Sequence, residues 1–142
     1  MYRHILIPTD GSELAEHGVA HGLALAKSLG AKVSVIFVVE PFSEMTGRFL
    51  ETIARYAELR KEQATSVLDR AANAAKEAGV SCETVQVDHE QPHQAIIAAA
   101  ENKGCDLIVM SSHGRSGLSM LLIGSVTNKV LTHAKTPVLV CQ

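Results

Sequence analysis

A chain of 142 residues suits one domain with a buried core, and 46% hydrophobic with 20% charged residues is an ordinary globular balance. A net charge of −2, 4% aromatics and no tryptophan offer neither the basic face nor the stacking platforms of a nucleic-acid binder. Cys82, Cys105 and Cys141 form no C-x-x-C pair, and their odd number points to reduced thiols rather than a disulfide framework.

The opening run Met1-Tyr2-Arg3-His4-Ile5-Leu6-Ile7-Pro8 is too short for a signal peptide, and nothing reaches a transmembrane length. The expectation is a soluble, cytoplasmic protein with no nucleic-acid or membrane partner. Arg3–Thr9 reads as the first strand. Asp10 with Glu13 three residues on resembles a capping box, and the helix it opens ends at Leu29-Gly30. Lys32–Val39 is nearly all apolar, as in a strand covered on both faces. Glu40–Arg48, with Pro41 and Gly47, is the longest expected loop.

From Phe49 to Ala78, residues Leu50, Ile53, Ala57, Ala64, Val67, Leu68, Ala71 and Ala75 recur at helical spacing, with Gly79 as cap. Ser81–Val87 is the third strand. Pro92 suits the first turn of a helix that ends at Lys103-Gly104. Leu107–Ser111 is the fourth strand and Pro137–Val140 the fifth, with a helix from Gly124-Ser125 through Leu131 between them.

This alternation predicts a single domain over 1–142, an α/β fold with an open, doubly wound, five-stranded parallel sheet. With strand order 3-2-1-4-5 and right-handed crossovers, the loops after strands one and four become neighbours where the order reverses. Ligands of such sheets bind there.

Ser111-Ser112-His113-Gly114-Arg115-Ser116-Gly117 leaves the fourth strand, and Gly124-Ser125 opens the last helix. Strand, glycine loop and helix N-terminus present backbone N–H groups and a positive dipole end to an anion. Gly114 and Gly124 let backbone approach a phosphate, Arg115 offers a donor fork, and Ser125 offers a hydroxyl. Spacing alone leaves a second reading open, in which the glycines shape a turn and Ser125 caps its own helix.

Other constellations are weaker. His17 and His21 lie four apart without a third ligand, and Pro92 interrupts the pair His89 and His93, so neither is assigned to a metal. His113-Gly114-Arg115-Ser116-Gly117 is no nucleophile elbow, and no Asp or Glu follows Ser116 to complete a triad. Walker A and dinucleotide glycine patterns are absent.

Over nearly its whole length the chain resembles the universal stress proteins. Ile5-Leu6-Ile7-Pro8-Thr9-Asp10-Gly11-Ser12-Glu13 is similar to that family's first strand and turn. Gly124-Ser125-Val126-Thr127 and Thr136-Pro137-Val138-Leu139-Val140 are similar to its last helix and strand. The ATP-binding branch carries Gly, two residues, Gly, nine residues, then Gly-Ser or Gly-Thr. The matching positions here are Ser111, Gly114, Gly124 and Ser125, with serine at the first glycine position.

The resemblance implies an adenine-nucleotide site for ATP or AMP. Asp10 would meet the ribose or a nucleotide-bound Mg, with Pro8 and Thr9 shaping that edge. Val38 would contact adenine, and Met110 would form an apolar floor. His113, Gly114, Arg115, Gly124, Ser125 and Val126 would surround the phosphates, and Ser111 would lie close to the nucleotide at the first signature position. No catalytic residue is implied, nor any metal held by protein side chains alone.

The function implied is that of a stress-response protein acting as a nucleotide-dependent regulatory or protective homodimer. Two alternatives stand beside it: a dimeric interaction module that has lost nucleotide binding, and a slow ATPase. Pairing of Pro137–Cys141 with its copy is expected on physical grounds too, because a short apolar edge strand tends to be covered.

Overall fold

The computed structural model describes residues 1–41, 50–113 and 123–142. In chain order they form β1 (His4–Pro8), α1 (Glu13–Leu29), β2 (Lys32–Val39), α2 (Leu50–Ala78) and β3 (Cys82–Asp88). There follow α3 (Pro92–Lys103), β4 (Leu107–Ser111), α4 (Ser125–His133) and β5 (Val138–Cys141). One parallel sheet runs β3-β2-β1-β4-β5, the doubly wound order expected from the alternation. Residues 42–48 of the expected loop, and Phe49 at the head of the expected second helix, lie outside the described residues.

Strand alternation divides the core in two. Ile5, Ile7, Val33, Val35, Phe37, Leu107 and Val109 pack beneath Val19 and Leu23 of α1 and Ala64, Leu68 and Ala71 of α2. Leu6, Ile36, Ile108 and Met110 face the other way, onto Ile96 and Ala100 of α3 and Val130 of α4. β1 and β4 are buried at every residue, which explains why each reads as a continuous apolar run. β3 alternates between exposed and half-buried residues, as an edge strand does.

Several boundaries differ from the sequence reading. The Asp10–Glu13 capping box does not form; Ser12 is the N-cap of α1, and its Oγ accepts from Ala15 N–H at 3.2 Å. Gly11, at φ +80°, turns the chain first, so the helix starts after it. Asp10 instead accepts the Ser12 N–H at 3.0 Å, an Asx turn ahead of the cap. Gly124, not Ser125, is the N-cap of α4, so Ser125 is the first helical residue and the capping reading of its side chain falls. β1, β3 and β5 each differ by one residue at both ends from the runs read in the sequence.

The amino edge of the sheet is polar on its α3 face. His4 Nε2 lies 2.7 Å from Ser34 Oγ, and Ser34 donates to Glu83 Oε1 at 2.7 Å. Because that bond uses the only hydroxyl proton, His4 Nε2 carries a hydrogen and donates to Ser34. Lys103 at the end of α3 reaches Glu83 at 3.0 Å. Desolvation, then the Lys32 charge, holds the His4 ring below its ordinary 6.5, against the Lys103 backbone and Glu83. Desolvation, Lys129, His133 and His89 act on His93 in the same direction.

A histidine whose folded pKa is depressed takes up its proton more readily when unfolded, so stability falls as pH drops below 6.5 toward the folded value. Urea midpoints are therefore expected to fall from pH 7.5 to about pH 5.5, with a shallower fall in His4→Gln, which keeps a donor but does not titrate. Equal slopes for the two proteins would show that His4 does not carry the effect.

Candidate functional site

β1 and β4 are hydrogen-bonded neighbours, paired through Ile5↔Leu107 and Leu6↔Ile108, and the order reverses between them. Their carboxyl ends therefore deliver the Pro8-Thr9-Asp10 loop and the Ser111-Ser112-His113 segment to one edge. Met110 faces the α3 and α4 side with half-buried Val38 of β2 and Val126 of α4. Pro8, two residues beyond Leu6, shares that side by alternation. An apolar wall thus stands beside the start of α4.

The β1 loop is held from three directions. Thr9 N–H donates to the Ile36 carbonyl at 2.9 Å, and Gly11 N–H to Thr9 Oγ1 at 3.2 Å. A Cβ on Gly11 would come within 2.7 Å of Val67 Cγ2 of α2, so glycine is required by both backbone and space.

The β4 exit is tied more tightly still. Ser112 N–H donates to the Cys141 carbonyl at 2.8 Å, and Gly124 N–H to the Ser112 carbonyl at 2.7 Å. Thr127 Oγ1 donates to the Ser111 carbonyl at 2.8 Å. Ser111 Oγ donates to the His113 carbonyl at 2.7 Å. The hydroxyl of Ser112 lies 3.0 Å from His113 Nδ1, while His113 Nε2 is buried with no hydrogen-bond partner among the described residues. An unsatisfied ring nitrogen costs free energy unless something outside the chain meets it.

Ser111 sits in ordinary strand backbone, since every positive φ among the described residues belongs to a glycine. Its side chain faces α1, where a Cβ placed on Gly18 would lie 3.7 Å from Ser111 Cβ and 3.3 Å from Ser111 N. That is the face opposite Val38 and Met110. The bulk that serine adds therefore meets the bare backbone of Gly18, not the apolar wall.

Of the residues singled out in the sequence, Pro8, Thr9, Asp10, Val38, Met110, Ser111, His113, Gly124, Ser125 and Val126 fall on strand ends or the helix start at this edge. Gly114 and Arg115 lie outside the described residues. Gly18 and Thr127 were not anticipated: one looks like any helical small residue and the other like an ordinary first-turn threonine. Only the crossing of α1 and α4 over β4 reveals them.

The other candidates fall elsewhere. His17 and His21 are exposed on α1, and the His93 and His133 rings lie 6.0 Å apart, tilted by 37°. His89 Nδ1 accepts the Gln91 N–H ahead of Pro92. The trio His4, Ser34 and Glu83 has the residue types of a hydrolase, but Ser34 stands between its partners and is fully buried. It is no nucleophile. Burial pushes the Cys105 thiol up to about 11, which leaves it unreactive. No helix among the described residues is long and apolar enough to cross a membrane.

The whole chain, residues 1–142, matches the Universal stress protein family. It is 36% identical over 144 residues to universal stress protein MJ0531 of Methanocaldococcus jannaschii, spanning 100% of this chain and 83% of that one. It is 33% identical over 152 residues to universal stress protein YxiE of Bacillus subtilis, with 100% of each chain covered. Among solved structures, protein MJ0577 of M. jannaschii superposes with a TM-score of 0.87 at 31% identity, over 99% of this chain and 95% of that one. A universal stress protein in complex with cAMP superposes with a TM-score of 0.76 at 25% identity, over 99% and 97%.

Gly11→Ala is expected to destabilise the fold by about 1–3 kcal/mol, from the strained φ and the collision with Val67. Urea unfolding measures it. A neutral substitution would mean that the β1 loop is not held against α2 as described.

Proposed function

Because the chain belongs to the universal stress protein family, we propose that it is a stress-response protein whose carboxyl-edge site binds an adenine nucleotide, ATP or AMP. The observation that carries this reading is the buried Nε2 of His113, without a hydrogen-bond partner among the described residues, on the segment whose Ser112 carbonyl is bonded to the Gly124 cap of α4. Gly124 caps that helix without a side-chain bond, so its first-turn N–H groups are suited to an outside acceptor. A phosphate satisfies both demands at once.

The remaining residues fit the rest of such a ligand. Val38, Met110 and Pro8 offer an apolar surface to the base, and Asp10 and Thr9 a polar edge to the ribose. His113 and the first-turn residues Ser125 and Val126 then take the phosphates. The cAMP complex of a related protein supports an adenosine ligand for this fold. Mg, where the nucleotide carries it, would rest on phosphate oxygens with Asp10 as the β1-loop carboxylate. One oxygen of Asp10 already accepts the Ser12 N–H, which holds that carboxylate in the β1 loop.

Denaturing the purified protein is expected to release AMP, ADP or ATP detectable by mass spectrometry. Titration calorimetry should then show His113→Ala weakening nucleotide binding roughly ten-fold, the worth of one hydrogen bond to a charged group. No released nucleotide, and no thermal shift with millimolar ATP or AMP, would leave the interaction-module alternative standing.

We also propose a homodimer formed through β5. That strand is hydrogen-bonded to β4 on one side and ends the sheet on the other, with Leu139 38% exposed. Such an edge invites pairing with a second copy about a two-fold axis. Sedimentation at micromolar concentration is expected to give a dimer that Leu139→Lys weakens. A wild-type monomer would refute it.

A further inference from the structure

Thr127 is 3% exposed at the third position of α4, and its hydroxyl reaches back sixteen residues to the Ser111 carbonyl. A first-turn threonine ordinarily turns its hydroxyl to solvent or to its own helix. Thr132, on the same helix, does the latter, donating to the Asn128 carbonyl at 2.8 Å. Thr127 instead joins the helix to the last residue of β4. Three residues earlier, Gly124 N–H donates to the Ser112 carbonyl.

The first turn of α4 is thus fastened to two consecutive carbonyls at the end of β4. The same short segment carries His113, whose carbonyl is held by Ser111 Oγ and whose Nδ1 meets Ser112 Oγ. Behind it, Gly18 lets α1 approach Ser111 N closely enough that a methyl there would touch it at 3.3 Å. The helix N-terminus and the ring with the orphaned nitrogen are therefore parts of one braced unit. Thr127 is the bond that spans them.

We propose that Thr127 is a positioning residue for phosphate: its hydroxyl sets the distance between the α4 N-terminus and His113, and so the affinity for the anionic part of the ligand. The proposal rests on the nucleotide reading of this edge. Thr127 touches no ligand itself, being buried beneath the helix. Its effect passes through the Ser111 carbonyl and the first-turn backbone. Two groups that must converge on one phosphate lose affinity steeply when either shifts, because each hydrogen bond weakens with distance and angle.

The test uses two near-isosteric substitutions in the full chain. Thr127→Val keeps the shape and removes the hydroxyl; Thr127→Ser keeps the hydroxyl. Calorimetry with ATP, and separately with AMP, is expected to show Thr127→Val weakening binding roughly five- to ten-fold, while Thr127→Ser stays within about two-fold of wild type. In ligand-free protein, the amide resonances of Gly124 and Ser125 and the ring resonances of His113 should move in Thr127→Val and not in Thr127→Ser.

A Thr127→Val protein with a lower Tm but unchanged affinity and unchanged resonances would overturn the proposal, leaving Thr127 a stabilising residue only. Should Thr127→Val not fold, Thr127→Ala replaces it in the same two measurements. If wild-type protein binds neither ATP nor AMP, the nucleotide reading falls. The ligand-free resonances still decide whether Thr127 positions the two groups.

Discussion

Buried backbone has to be hydrogen-bonded, and in this fold that single requirement decides where a ligand can be met. β1 and β4 are covered on both faces, so their N–H and C=O groups are consumed by the neighbouring strands. The pairing stops where the strands stop. At the carboxyl edge the chain must find other partners, and the loops there are built almost wholly from such substitutions. Thr9 borrows the Ile36 carbonyl, Ser112 borrows that of Cys141, and Thr127 supplies a hydroxyl to Ser111. Among the described residues of this edge, His113 Nε2 is left without a partner.

Close approach of α1 makes that edge rigid. Gly18 lets the helix lie against the backbone of β4, and Gly22 makes room for the Ile7 side chain of β1; a Cβ on Gly22 would reach within 2.5 Å of Ile7 Cδ1. The helix then acts as a plate behind Ser111, and serine at that position turns its side chain onto the plate. The hydroxyl is not idle, because it fixes the His113 carbonyl. A residue that looks like a departure from a glycine pattern is thereby part of the loop's own bracing.

The opposite edge of the sheet solves a different problem with similar groups. Desolvation pushes the Asp106 carboxyl up, but the N–H groups of Arg3 and His4 that it accepts outweigh this and hold it below its ordinary value. Beside it the His4, Ser34, Glu83 and Lys103 chain satisfies one another's donors and acceptors. Nothing there is left over. The carboxyl edge differs in keeping one buried ring nitrogen without a partner among the described residues.

Much of this was legible along the chain. The run Lys32–Val39, the α2 stripe ending in Ala64, Val67, Leu68, Ala71 and Ala75, and the glycines at 30, 79 and 104 are local signals, and each element stands where they place it. The start of α1 was misread because Asp10 and Ser12 are both good caps, and only the positive φ of Gly11 decides between them. His4 passed unnoticed inside an apolar run, since its partners Ser34 and Glu83 are 30 and 79 residues away. The sequence by itself determined the alternation of strands and helices, the family, and the residue types available at each strand end. Periodicity and turn chemistry act over a few residues and can be read there. Only the tertiary structure decided that Ser111 faces Gly18, that Thr127 braces β4, and that His113 keeps a buried nitrogen without a partner among the described residues. Those facts depend on which distant segments the sheet order brings together, and no local pattern carries them.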